Sequence, residues 1–185
     1  MLRPRALRQA GVTLAEMLVV AAVLALAARI AIPNASPLAN AGNDVATAEV
    51  LQAIRFAQRE AVRTGAWHTV KIDTATQSLR VYRLTDSGPE DTSLPVLHPI
   101  DKRPYNVTFG NGPARATIAL VAFTYEGGGN SNLNTLSFNT DGTPGLLTGT
   151  KDKDTKAMKV GTVSIRYGNV QRDLAIDPVT GRVSG

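Results

Sequence analysis

The 185-residue sequence contains no cysteine, which excludes a disulfide framework and thiolate chemistry. Its net charge of +5 suggests an acidic partner such as nucleic acid, but three of its cations, Arg3, Arg5 and Arg8, lie in the first eleven residues. If residues 1–11 are removed as a leader, 17 basic residues face 15 acidic ones, so the charge of +2 gives no sign of a nucleic-acid-binding protein. The length fits one membrane helix and one globular domain of roughly 120 residues.

An apolar run follows this basic leader and ends at Pro33. Its polar or charged side chains are Thr13, Glu16 and Arg29. A helix over this run would be roughly 32 Å long, about the thickness of the hydrocarbon core of a bilayer. We therefore predict a membrane-spanning helix over residues 12–33, with the leader holding the amino terminus in the cytoplasm. An ionisable group such as Glu16 is costly inside a membrane and by default marks function.

Three interpretations of this run compete. A cleaved secretory signal would be cut after Ala25-Leu26-Ala27, which would release a mature domain starting near Ala28. A signal anchor would keep the run, with Glu16 tolerated near the membrane interface. Cleavage after Gly11 would also keep the run, and it would make Val12 the new amino terminus.

The third interpretation is supported by a motif. Gly11, followed by Thr13-Leu14-Ala15-Glu16 at the start of an apolar helix, resembles the processing site of type IV prepilins and type II secretion pseudopilins. The resemblance implies that prepilin peptidase cuts after Gly11 and methylates the amine of Val12. It also implies that Thr13, Leu14 and Glu16 take part in assembly, with the Glu16 carboxylate of one subunit pairing with the amine of its neighbour. Val12 stands where these proteins usually have Phe, which leaves the charge pairing unchanged.

Residues 34–65 have the pattern of an amphipathic continuation of the helical stem. Pro33 and the prolines and glycine near it predict a kink, and Asn43 or Asp44 can cap a second helical segment that runs to Thr64 before Gly65. The predicted apolar face contains, at helical spacing, Val50, Ile54, Ala57 and Ala61. The opposite side contains Gln52, Arg55, Arg59 and Arg63.

From residue 66 the apolar period changes to two, which predicts a β domain over residues 66–185. Two of its runs flank Gly168-Asn169, a two-residue hairpin turn. The predicted strands are 68–72, 79–84, 96–100, 105–109, 117–125, 133–138, 160–167 and 170–176. The fold class is therefore α+β. We predict a long kinked N-terminal helix that packs against one of two small sheets of an antiparallel, β-sandwich-like domain.

Two further segments narrow the resemblance. The segment Gln58–Gly65, and the ending Thr180-Gly181-Arg182-Val183, resemble parts of the H-type pseudopilin and FimT/FimU minor pilin family (GspH/FimT). These motifs cover the two ends of the chain and leave roughly residues 85–135 unmatched. The resemblance implies a structural subunit made as a single-pass inner-membrane precursor with its β domain in the periplasm. It also implies three kinds of partner: other pilins or pseudopilins, prepilin peptidase and an inner-membrane assembly platform.

Little in the sequence favours catalysis. His68 and His98 lack the spacing of a metal site, and the lysines that alternate with Asp152 and Asp154 favour a solvated loop over a calcium site. We therefore expect no enzymatic activity, no cofactor and no metal ion. Trp67 is expected in the core, where it would seal the helix against the sheet.

The expected function is that of a minor pseudopilin of a type II secretion pseudopilus, which supports protein export. The alternative is a minor pilin that primes assembly of a type IV pilus or binds DNA during natural transformation. Some FimT-type pilins bind DNA through a Gly-Arg-x-Arg arrangement. Gly181-Arg182 matches its first half, whereas Ser184 stands in place of the second arginine. Together with Arg166 and Arg172, Arg182 could form a local basic surface.

Overall fold

The computed structural model of the chain describes residues 13–31, 36–111, 115–127, 133–149 and 155–185. The chain divides into two units, Met1–Ala35 and Ser36–Gly185. Gly11, Val12 and Pro33 lie outside the described residues, as do Asp152 and Asp154. The predicted cleavage site, methylation site and kink therefore stay predictions.

The first unit contains helix α1 (Leu14–Ala31). Its large apolar side chains between residues 14 and 24 are 54–78% exposed. No helix in the described ranges is long and apolar enough to cross a membrane. The predicted single, kinked stem is not shown, because residues 32–35 between α1 and the next helix are outside the description.

The second unit opens with helix α2 (Ser36–Thr64). The predicted end is confirmed: the Gly65 N–H donates to the Ala61 carbonyl oxygen at 3.0 Å, and Gly65 takes the left-handed φ of 63° typical of a helix end. The predicted start at Asn43 or Asp44 is wrong. Pro37 stands in the first turn, where its missing N–H costs nothing, and so it does not break the helix.

The predicted apolar face of α2 is confirmed. Val50, Ile54, Ala57 and Ala61 are fully buried. The four polar and basic residues predicted for the opposite side are exposed, with Gln52 at one end and Arg63 at the other. The helical spacing of the apolar residues thus decides which side of α2 packs on the sheet.

The described part of the β domain has nine strands, all antiparallel to their partners. They are β1 (His68–Asp73), β2 (Ser78–Arg83), β3 (Asn106–Thr108), β4 (Thr117–Tyr125), β5 (Thr135–Phe138), β6 (Pro144–Leu147), β7 (Thr155–Tyr167), β8 (Val170–Ile176) and β9 (Val183–Ser184). The prediction missed β6 and the first part of β7. It placed a strand at 96–100, where only an isolated bridge between Leu97 and Pro104 forms.

The strands form one curled sheet in the order β3-β2-β1-β5-β6-β7-β8-β9, with β4 on the other edge of β7. The start of β7 pairs with β6 and its end pairs with β8, so this single long strand belongs to both halves of the sheet. Helix α2 contacts β1, β2 and β5 in one half, and β7 and β8 in the other. The α+β prediction is confirmed, but the helix packs on both halves rather than on one.

The main core lies between α2 and the curled sheet, and it includes the aromatic side chains of Tyr105, Phe109, Phe123 and Phe138. Trp67 is buried as predicted, but it belongs to a smaller cluster with Leu84 and Leu147. Trp67 therefore packs at one corner of the sheet rather than between the helix and the sheet.

Candidate assembly site and basic surfaces

The start of α1 is closed by a reciprocal pair of side chains, Thr13 and Glu16. The Glu16 N–H donates to Thr13 Oγ1 at 3.3 Å, and the Thr13 N–H donates to Glu16 Oε2 at 2.9 Å. The Thr13 hydroxyl also donates to Glu16 Oε2, at 3.1 Å. This is a capping box, in which two side chains satisfy backbone N–H groups that the first helical turn leaves unpaired.

The capping box has a consequence for the carboxylate of Glu16. Both of the hydrogen bonds that it accepts from Thr13 end on Oε2, and within the described residues Oε1 accepts none. A carboxylate has about four lone-pair positions, so Glu16 can hold its own helix end and still accept a bond from another donor. Leu14, the third predicted assembly residue, lies in the first turn and is 78% exposed.

Two of the sequence segments that carry the family resemblance meet in the structure. Gln58 Nε2 donates to the Thr180 carbonyl oxygen and to the Gly142 carbonyl oxygen, at 2.8 Å in each case. A Cβ atom on Gly181 would lie 2.7 Å from the Phe138 ring and 3.1 Å from Gln58 Nε2. The turn that follows β8 is therefore fastened to the last third of α2, and only glycine fits at its closest point.

Near its start, α2 is joined to the hairpin of β7 and β8. Asn43 Nδ2 donates to the Val170 carbonyl oxygen at 3.1 Å, and a Cβ atom on Gly42 would lie 3.1 Å from the Tyr167 ring. Asn43 is fully buried, and it does not act as a cap because α2 begins seven residues earlier, at Ser36. Sequence reasoning missed this contact, because a polar residue before an apolar run is also the usual sign of a helix start.

The structure does not bring the three predicted DNA-binding arginines together. Arg172 pairs across the hairpin with Ile165, which is buried, so Arg172 lies on the core side of the sheet. There it reaches the edge of α2, where its Nη1 atom contacts Asp44 Oδ1 at 2.8 Å. Arg166 follows Ile165 in β7, so its side chain lies on the opposite, outer face of the sheet.

Arg182 also lies on the outer face, because its neighbour Val183 pairs with the buried Ile176. It stands opposite Asp177, whose N–H donates to the Arg182 carbonyl oxygen at 2.8 Å, whereas Arg166 stands opposite Gln171. The two arginines are thus about 20 Å apart along β8.

The outer face between these arginines also contains acidic side chains. Hydrogen bonds from Thr180 hold the pKa of Asp177 below its usual range, and hydrogen bonds from Ser164 and Gln171 do the same for Asp173. Both carboxylates are therefore charged at neutral pH. Asp177 lies opposite Arg182, and Asp173 lies two positions along β8 from Gln171, the residue opposite Arg166. Lys151 and Lys153 lie outside the described residues.

Each of the two histidines contacts another residue of the fold through its Nδ1 atom. His68 is buried, and its Nδ1 donates to the Ala66 carbonyl oxygen at 2.9 Å. Burial lowers the pKa of the His68 imidazole. His98 Nδ1 lies 3.4 Å from Asp101 Oδ1, and its ring meets the edge of the Tyr105 ring at 4.7 Å between centroids.

The sequence matches no protein-family model and no curated protein. The structure is similar to the minor pseudopilin EpsH from the type 2 secretion system of Vibrio cholerae, with 17% identity, 77% of this chain and 94% of that chain covered, and a TM-score of 0.46. A second structure of EpsH gives 15% identity, the same coverage and a TM-score of 0.46. The type IV minor pilin FimU of Pseudomonas aeruginosa gives 16% identity, 77% and 86% coverage, and a TM-score of 0.44. The likeness to these pilin-like proteins is one of fold alone.

Proposed function

We propose that this protein is a minor pseudopilin, a non-enzymatic structural subunit of a type II secretion pseudopilus that supports protein export. It would be made as an inner-membrane precursor with its amino terminus in the cytoplasm and its β domain in the periplasm. Prepilin peptidase would cut it after Gly11 and methylate Val12. The proposed membrane segment, residues 12–33, extends beyond α1 at both ends.

One observation carries this proposal: a carboxylate stands in the first turn of a helix whose described apolar side chains are all exposed. Exposed apolar surface of this extent needs a cover, which lipid or the apolar helices of neighbouring subunits can provide. Within such a cover, Glu16 is the costly group, and a cationic partner would offset much of that cost.

The capping box supports the proposed partner of Glu16. The amine of Val12 in a neighbouring subunit can bind Oε1, while Oε2 keeps its two bonds to Thr13. The cap also fixes the carboxylate at one height on the helix, so the ion pair would form at one axial register between subunits. This register is what a helical bundle of pilin-like stems requires.

Mass spectrometry of the mature amino terminus tests the proposal. Cleavage after Gly11 predicts a methylated Val12 as the first residue and a retained apolar helix. A mature chain that starts near Ala28 would instead identify a cleaved secretory signal, and the assembly proposal would be abandoned. An unprocessed amino terminus in cells that contain an active prepilin peptidase would identify a plain signal anchor.

The second candidate is a minor pilin of a type IV pilus, which would prime pilus assembly or bind DNA during natural transformation. The observation that favours it is the Gly181-Arg182 sequence, the first half of the DNA-binding arrangement of some FimT-type pilins. Both candidates need the same processing and the same stem, so the discriminating result is the apparatus with which the protein co-purifies. Recovery with sheared surface pili, rather than with the secretion apparatus, would favour the pilus.

A further inference from the structure

An open cleft of about 480 Å³ lies in the second unit, between the last turns of α2 and the long loop that joins β2 to β3. This loop, residues 84–105, lies almost wholly in the region, roughly residues 85–135, that the sequence motifs leave unmatched. The apolar lining of the cleft includes Phe56 of α2 and Leu94 and Leu97 of the loop. Its charged lining includes Glu60, Arg63 and Lys102.

The 84–105 loop is held in one shape by backbone hydrogen bonds. The Asp91 N–H donates to the Arg83 carbonyl oxygen at 2.8 Å, and the Tyr105 N–H donates to the Val96 carbonyl oxygen at 2.9 Å. The Tyr105 ring packs against Phe56 of α2, with 5.2 Å between the ring centroids. A long loop with fixed backbone and few regular elements is usually functional.

This fixed backbone holds apolar side chains out in solvent at the rim of the cleft. Leu94 is 53% exposed and Leu97 is 44% exposed. Large apolar side chains that are clustered rather than scattered, and that border a cleft, are typical of an interaction site.

The charge around the cleft is mainly positive. Arg55, Arg59 and Arg63 form an exposed row at intervals of four residues along α2, and this row ends at the cleft. Lys102 stands on the loop side. Burial leaves the His68 imidazole neutral at pH 7, because its pKa is lowered.

The two carboxylates near these cations are each engaged by an arginine. Glu60 Oε1 accepts from Arg63 Nε at 3.0 Å, and Asp91 Oδ2 lies 3.8 Å from Arg83 Nε. Arg83 Nε is itself buried without a hydrogen-bond partner among the described residues. A carboxylate entering the cleft would meet the Lys102 ammonium and the guanidinium groups of Arg63 and Arg83, and guanidinium groups bind carboxylates well.

We propose that this cleft binds a segment of a partner protein that presents an apolar side chain flanked by carboxylates. The apolar walls select the side chain, and the arginine row and Lys102 select its acidic neighbours. A nucleic acid fits less well, because the apolar walls give a phosphate backbone nothing to bind. This proposal does not depend on the pseudopilin proposal, since all of the residues involved lie in the second unit.

The test uses the full chain in detergent and a phage library of random dodecapeptides. Peptides are selected on the wild-type protein and counter-selected on Leu97→Glu. We expect the enriched peptides to combine a large apolar residue with an excess of Asp and Glu. Leu97→Glu removes an apolar contact and adds a repelling charge at an exposed position, so the fold should be preserved.

The most enriched peptide is then synthesised with a fluorescent label, and its affinity is measured by anisotropy. Leu97→Glu, Leu94→Ser and Arg63→Gln are each expected to weaken binding by about tenfold or more, as for anchor residues of an interface. The matched control is Ile100→Glu, because Ile100 is 79% exposed on the same loop and does not line the cleft. A change of less than about twofold is expected for the control.

Three results would overturn the proposal. The library could show no enrichment over the Leu97→Glu protein, the enriched peptides could lack acidic residues, or the control could weaken binding as much as the cleft variants. Binding of a DNA duplex that Arg63→Gln and Leu97→Glu both abolish would assign the cleft to nucleic acid instead.

Discussion

Gln58 in the last third of α2 donates a hydrogen bond to the carbonyl oxygen of Thr180, which lies 122 positions later in the chain. The same nitrogen donates to the Gly142 carbonyl oxygen. One helix side chain thus holds two turns of the β domain. It also connects residues 58–65 with residues 180–183, the two segments that resemble the family in addition to the N-terminal motif.

The first prediction concerns this contact. Gln58→Leu keeps the approximate size of the side chain but removes the donor, so two carbonyl groups lose a partner. We expect the free energy of unfolding to fall by about 1–2 kcal/mol, measured by chemical denaturation of the full chain. Gln52→Leu is the control, because Gln52 is exposed on the same helix. Equal losses in the two variants would contradict a role for the Gln58 contacts.

The second prediction concerns Gly181, which takes a φ of 68° and lies against the Phe138 ring. Gly181→Ala adds a methyl group where the ring stands and strains the backbone. We expect a loss of about 2–4 kcal/mol. Gly168→Ala separates the two effects, because Gly168 has a φ of 58° but nothing within 4 Å of its added Cβ. That variant should lose only about 1–2 kcal/mol. Losses of the same size would mean that the Phe138 contact contributes nothing.

The third prediction separates the two roles of Glu16. Glu16→Gln keeps an acceptor for the Thr13 N–H, since glutamine also serves in a capping box, but it removes the charge. Thr13→Ala removes the side-chain part of the cap and keeps the charge. If the proposed ion pair drives assembly, Glu16→Gln should remain processed and fail to enter the pseudopilus, whereas Thr13→Ala should still enter it. Mass spectrometry reports processing, and co-sedimentation with assembled pseudopili reports entry. The opposite ranking of the variants would show that the cap matters and the charge does not.

The fourth prediction concerns DNA. Because Arg166, Arg172 and Arg182 lie on different faces or about 20 Å apart, and carboxylates accompany them, we expect no measurable affinity for a short duplex at about 0.15 M salt. Arg172→Ala should instead lower the stability by at most about 1 kcal/mol, since it breaks an exposed ion pair with Asp44. Fluorescence anisotropy against salt concentration measures the binding. Micromolar affinity that Arg182→Ala abolishes would favour the DNA-binding alternative.

The sequence predicted well the features that depend on local pattern. The buried face of α2 follows from a helical period alone, and the hairpin of β7 and β8 follows from Gly168-Asn169, whose flanking residues Tyr167 and Val170 pair directly. The capping box of Thr13 and Glu16 is also local, because residues three apart meet in the first turn of a helix, but it was not predicted.

Features that depend on distant pairing were missed. Strand β6 contains Pro144 and Gly145, which weaken any strand prediction, and it exists because β5 and β7 bond to its two edges. The role of Gln58 depends on two turns, near residues 142 and 180, that only the folded chain places side by side.

The last prediction concerns pH. Burial makes the pKa of His68 in the folded protein lower than the ordinary value of 6.5, so the unfolded chain binds the proton more readily. The stability that comes from an uncharged His68 is therefore fully present above pH 6.5. It is lost as the pH falls below that value, towards the lowered pKa of His68 in the folded protein. Glu60, the carboxylate that lies near His68, does not titrate in this window, because its hydrogen bond to Arg63 lowers its pKa from 4.5. We expect the Tm of the wild-type chain to fall between pH 7 and pH 5, and the Tm of His68→Gln to fall less over the same range, since glutamine binds no proton. Parallel curves for the two proteins would show that another group causes the loss.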